Sequence, residues 1–181
     1  MCGIAGIIHR NKTGAVGAEM TSMLQAMKHR GPDSTGFAFY GVPTDDELLL
    51  RFKVAEREDL DSGFEIHEAI KERRAEVDTR IESMGGEIQV AKAPTEYAFF
   101  YRVRFDPELD SLARLADYIE DVEGAEVLSM GRALELIKDL GDATQVSDQY
   151  DMGNFVGTHA IGHARMATES DVDICSAHPY W

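Results

Sequence analysis

Apolar and polar positions change their period several times along the chain, and each change predicts an element. Residues 3–8 are a short apolar run that reads as a strand and would hold the chain end rigidly. A polar, glycine-containing stretch over 11–17 predicts a turn. Residues 19–29 then carry Met20, Met23, Leu24 and Met27 on one helical face. Gly31-Pro32 ends that helix, and residues 35–41 predict a second strand.

The middle of the chain has its own pattern. Residues 47–54 are strand-like, and 65–84 are helical, with Ile66, Ile70, Val77, Ile81 and Met84 on one side before Gly85-Gly86. Two strands follow, over 87–92 and 96–105, turning at Ala93-Pro94-Thr95. In the second, Tyr97, Phe99, Tyr101, Val103 and Phe105 alternate onto one face. A helix over 107–122, with Leu109, Leu112, Leu115 and Ile119 inward, precedes a strand over 125–130. The order β-α-β-β-α-β is that of a ferredoxin-like split unit. Residues 132–140 predict a further helix, with Leu134, Ile137 and Leu140 inward and Gly141 as its stop. Residues 158–166 predict a strand that returns to the first sheet. The expected division is therefore 1–43, an inserted α+β subdomain over 44–131, and a return over 132–181.

Composition narrows the function classes. The 181 residues carry a formal net charge of −15, which argues against nucleic acid or an anionic membrane surface as partner and favours small soluble ones. No apolar run approaches the roughly 20 residues of a membrane span, and no signal-like segment opens the chain. Cys2 and Cys175 do not form a secreted disulfide framework, so a reducing cytoplasm is the expected location. His159 and His163 lie in strand-like sequence, and none of the histidines has cysteine or carboxylate partners at ligand spacing, so no metal site is expected.

The chemistry concentrates at the start. Removal of Met1 would make Cys2 the first residue, joining a thiol to a free α-amine. The two groups titrate near ~8.5 and ~7.7 to 8.0, so one residue supplies both nucleophile and base. Met1-Cys2-Gly3-Ile4-Ala5-Gly6 is followed by His29-Arg30-Gly31-Pro32-Asp33-Ser34-Thr35-Gly36, then by Gly162-His163-Ala164-Arg165-Met166-Ala167-Thr168, and finally by Ala177-His178-Pro179. Four blocks in this order, with thirteen residues from Arg165 to His178, resemble the class II glutamine amidotransferases, which are N-terminal-nucleophile hydrolases.

That resemblance implies an αββα sandwich, incomplete at the C-terminus of this chain and carrying the ferredoxin-like insertion. It implies Cys2 as the catalytic nucleophile attacking a glutamine side-chain amide. Arg165 would hold the substrate α-carboxylate, with the Thr168 hydroxyl and the Glu169 backbone beside it. Arg30 and Gly31 would form the loop next to the nucleophile, and His178 would line the glutamine pocket. The family's Asn-Gly oxyanion pair and its α-amine-binding aspartate find no match before Trp181, so this 181-residue stretch alone is expected to be inactive.

The long insertion and the blocks around Val127 to Arg132 and Lys138 to Asp142 look most like the stand-alone subunits of glutamate-synthase-related systems, of which the N-methylglutamate synthases are the nearest named group. Such a subunit would pass ammonia to a glutamate-synthase-like partner. No cofactor motif is present in this chain; flavin and iron-sulfur centres would belong to the partner subunits. The alternatives are the glutaminase domain of a purine, amino-sugar or asparagine synthase, and a non-catalytic amidotransferase-like regulatory subunit.

Overall fold

Two four-stranded antiparallel sheets and four helices make up the described residues, 2–105, 112–166 and 178–180, of a computed structural model. They divide into two compact units, Met1–Pro43 with Ala133–Trp181, and Thr44–Arg132. No helix among the described residues is long and apolar enough to cross a membrane.

The first unit is built from β1 (Gly3–Ile8), α1 (Val16–Ala26), β2 (Ser34–Tyr40), β7 (Leu134–Leu140), α4 (Ala143–Gln149) and β8 (His159–Arg165). Its sheet order is β1-β8-β2-β7, so the last strand lies between the first two. Helices cover one face of the sheet. Small residues Ala160, Gly162 and Ala164 on β8 let α1 approach, with Leu24 and Met20 against Gly162. Phe37 and Phe39 are fully buried and stack at 5.3 Å, and Phe155 stacks on Phe39 at 4.9 Å. The opposite face carries Ile4, Ile8 and Ile161, which are 74%, 75% and 45% exposed. Helices therefore cover only one side of these strands among the described residues.

The sequence pattern misassigns one element of this unit. Residues 134–140 form β7 and not a helix, paired along their whole length with β2. Leu, Glu and Lys favour a helix locally, but strand pairing overrides that preference. The two-residue period is hidden because both faces are buried: Leu136 points one way and Ile137 the other, each at 1% exposure or less. Polar residues on β7 are buried as well. Asp139 is fully buried and accepts hydrogen bonds from the Tyr150 hydroxyl at 2.8 Å and from Gln149 Nε2 at 3.3 Å. The first helix also starts earlier than its pattern suggests, at Val16, and stops at Ala26 before a 3-10 turn over Lys28–Arg30.

The second unit runs β3 (Glu47–Lys53), α2 (Phe64–Ser83), β4 (Glu87–Lys92), β5 (Ala98–Arg104), α3 (Leu112–Glu120) and β6 (Glu126–Gly131), with sheet order β4-β5-β3-β6. Residues 107–111 of the expected second helix lie outside the described residues. The two middle strands are the first and third of the unit, so each helix crosses over a strand that separates its neighbours. Phe52, Phe99 and Tyr101 form an aromatic cluster on the sheet, with centroids 5.0 and 5.3 Å apart. Tyr101 links the sheet to α2: its hydroxyl donates to Asp78 at 2.7 Å and accepts from Arg74 Nε at 2.9 Å. Burial and the Asp78 carboxylate push its pKa well above the usual phenol value. Lys53 is buried between Glu56 and Glu126. Burial alone would lower its pKa, but the bonds to Glu126 and Glu56 outweigh that and raise it, so its ammonium stays charged.

Helix α4 carries a capping box, in which Asp142 accepts from Thr144 N and Gln145 N while the Gln145 side chain accepts from Asp142 N. Asp142→Ala should therefore cost about 1 kcal/mol of unfolding free energy. Chemical denaturation of the variant checks this; an unchanged midpoint would mean that packing alone holds α4.

Candidate functional site

Register decides which candidate residues meet. Strand β1 pairs with β8 through Gly3↔Ala164 and Ile4↔His163, and β2 pairs with β8 through Ser34↔Arg165 and Gly36↔His163. Residues opposite one another share a face, and alternate residues along a strand return to it. Arg165, His163, Ser34 and Gly36 thus lie on the face away from α1. Cys2, which is exposed, directly precedes Gly3, and Gly3 pairs with Ala164, the neighbour of Arg165.

The loop between α1 and β2 closes over this end of β8. A side chain at Gly31 could not fit, because a Cβ there would lie 2.5 Å from the Arg165 carbonyl carbon and 2.6 Å from that of Ala164. Asp33 N donates to Arg165 O at 3.2 Å, which fixes the loop to the strand end. Arg30 is exposed at the end of the 3-10 turn, next to Gly31. Met27 touches Gly3, so the start of β1 is seated against the same loop.

Among the expected site residues, the structure brings Cys2, Gly31 and Arg165 to one sheet end, with Arg30 flanking them. His178 lies farther along the same face, over Gly36 and edge-on to the His163 ring at 5.2 Å. Thr168 and Glu169 lie outside the described residues, as does Cys175.

Motif reading overlooked His163, Ser34 and Gly36, although all three fall inside the quoted blocks. The available signal was alternation: His163 and Arg165 are two apart on a strand and must share a face. Ser34 Oγ and His163 Nδ1 are buried and have no hydrogen-bond partner among the described residues. Burial first, then the nearby His178 and Arg165 charges, hold the His163 imidazole below the usual histidine range.

Similarity extends over nearly the whole chain. It is 38% identical over 186 residues to a protein of Methanothermobacter thermautotrophicus named "Putative glutamine amidotransferase", a match covering 99% of this chain and 56% of that protein. It is 32% identical over 185 residues to "Glutamine amidotransferase-like protein GlxB" of Rhizobium meliloti, covering 99% of this chain and 54% of that one. Both relatives bear the amidotransferase name. The chain spans about half the length of these curated relatives. No protein-family model matches it.

The depressed His163 value has a checkable sign. The unfolded state, with a histidine near 6.5, binds this proton more readily than the folded state, so stability falls as pH drops below about 6.5 and the loss is complete below the folded value. His163→Phe should flatten the dependence of unfolding free energy on pH in that window. An equally steep dependence in the variant would assign the effect to another group.

Proposed function

We propose that the protein is a class II glutamine amidotransferase that hydrolyses the glutamine side-chain amide with Cys2 as an N-terminal nucleophile. The observation that carries this reading is the register: Gly3, next to Cys2, pairs with Ala164, next to Arg165, beside the loop closed by Gly31. The amidotransferase names of both relatives support the same substrate.

Removal of Met1 would free the Cys2 α-amine, which takes the thiol proton as the sulfur attacks the amide carbon. The tetrahedral intermediate collapses when the amine returns that proton to the leaving nitrogen and ammonia departs. Water then cleaves the γ-glutamyl thioester, releasing glutamate and restoring the thiol. Arg165 holds the α-carboxylate through its planar guanidinium, with Thr168, Glu169 and His178 completing the pocket and Arg30 adding positive charge near the sulfur.

In fold terms, this reading makes the sheet β1-β8-β2-β7 and its helices one half of an N-terminal-nucleophile αββα sandwich. The exposed Ile4, Ile8 and Ile161 then belong to its inner face. The second unit reads as a ferredoxin-like insertion, on the strength of its strand order and its split crossovers. The ammonia goes to a glutamate-synthase-like partner in the cytoplasm.

Full-length protein should convert glutamine to glutamate and ammonia, and Cys2→Ala should abolish this while leaving the fold intact. Arg165→Lys should raise KM for glutamine by roughly 10- to 100-fold, the loss expected for a charge-assisted bidentate contact. Active enzyme whose mass retains Met1 would refute the nucleophile. A Cys2→Ala variant with undiminished turnover would do the same.

A further inference from the structure

Three neighbouring strands contribute one row of residues to the face that bears Arg165: His163 on β8, Gly36 on β2 and Lys138 on β7. Gly36 is a notch between two long side chains. A Cβ there would overlap the His178 carbonyl oxygen and would lie 2.8 Å from its carbon and 3.0 Å from Pro179 Cδ. Residues 178–180 therefore cross the strand in direct contact with its backbone.

Both walls of the notch grip this segment. The His163 ring meets His178 edge-on, at 5.2 Å and 75°. His178 in turn meets Tyr180 at 4.5 Å and 68°, and Lys138 Nζ lies 5.2 Å from the Tyr180 ring centroid. Edge-to-face and cation–π contacts of this kind are directional, so they fix ring orientation as well as depth. His163 meets His178 ring to ring. Among the described residues its Nδ1 is buried and has no hydrogen-bond partner, so the contact with His178 does not run through that atom.

We propose that Gly36 and His163 are positioning residues for substrate, seating His178 beside the Arg165 end of the face so that glutamine affinity depends on them. The proposal rests on the glutaminase reading and assigns these two residues no part in bond making or breaking. It predicts that ring shape at position 163 matters and ring nitrogen does not. It also predicts that any side chain at position 36 lifts the segment that carries His178.

The test uses full-length protein with Gly36→Ala, His163→Ala and His163→Phe, glutaminase kinetics, and spectra of carbon-13-labelled histidine. Gly36→Ala and His163→Ala should shift the His178 ring signals and raise KM for glutamine at least about tenfold, with kcat within about threefold. His163→Phe should leave KM close to that of the parent. If Gly36→Ala does not fold, the two His163 variants carry the test alone. Unchanged KM and unshifted His178 signals in His163→Ala overturn the proposal. Failure of His163→Phe to match the parent also overturns it, because the imidazole nitrogens would then be acting. A parent protein that hydrolyses no glutamine refutes the glutaminase reading and the substrate role together. In that case unshifted His178 signals would refute the seat itself, and shifted ones would uphold it.

Discussion

The insertion of β8 between β1 and β2 is the constraint on which the rest of the first unit depends. Its helix-side residues, Ala160, Gly162 and Ala164, are small, and its other face carries His159, His163 and Arg165. A slip of one residue would drive an imidazole or a guanidinium into Leu24 and Met20 and turn the small residues outward. The core therefore fixes the register, and the register fixes which side chains stand opposite the chain start. Packing on one side of the sheet is in this sense the source of chemical order on the other.

Much of the fold was legible because most strands have one clear periodicity. The expected strands over 3–8, 35–41 and 158–166 correspond to β1, β2 and β8 within a residue at each end. The strand, helix, strand, strand, helix, strand order of the middle segment is also the observed one. Residues 134–140 failed because their apolar side chains serve two covered faces and their charged ones are buried beside them. Two-sided burial erases alternation, and what remains resembles a helical repeat. The pattern gave no element over Ala143–Gln149, where α4 forms, for a different reason. Its apolar face is only Ala143 and Val146, too short for a period, although Asp142 and Gln145 carry a capping-box pattern.

The candidate site was legible where a residue type announces chemistry and illegible where it works by absence. Cys2 and Arg165 declare a nucleophile and an anion partner by themselves. Gly31 and Gly36 declare nothing until the backbone that crosses each of them is seen. His163 shows the complementary limit: its sequence neighbours mark it as part of a block, but only the register and the His178 ring reveal what it faces. Which residue approaches which across more than a hundred positions is set by pairing between distant strands.

Backbone bonds from both flanks pin the loop at the site end. Asp33 N donates to Arg165 O on β8, while Asp33 O accepts from Gly141 N at 3.0 Å, just past β7. Thr35 Oγ1 adds a bond to Gly141 O at 2.8 Å. Main-chain groups and the Thr35 hydroxyl thus tie the loop to two strand ends. Main-chain bonds of this kind do not depend on which exposed side chains stand nearby. These ties do not use the Cys2 or Arg30 side chains, so a change in turnover or affinity on substituting either one reports on the group removed and not on collapse of the loop around it.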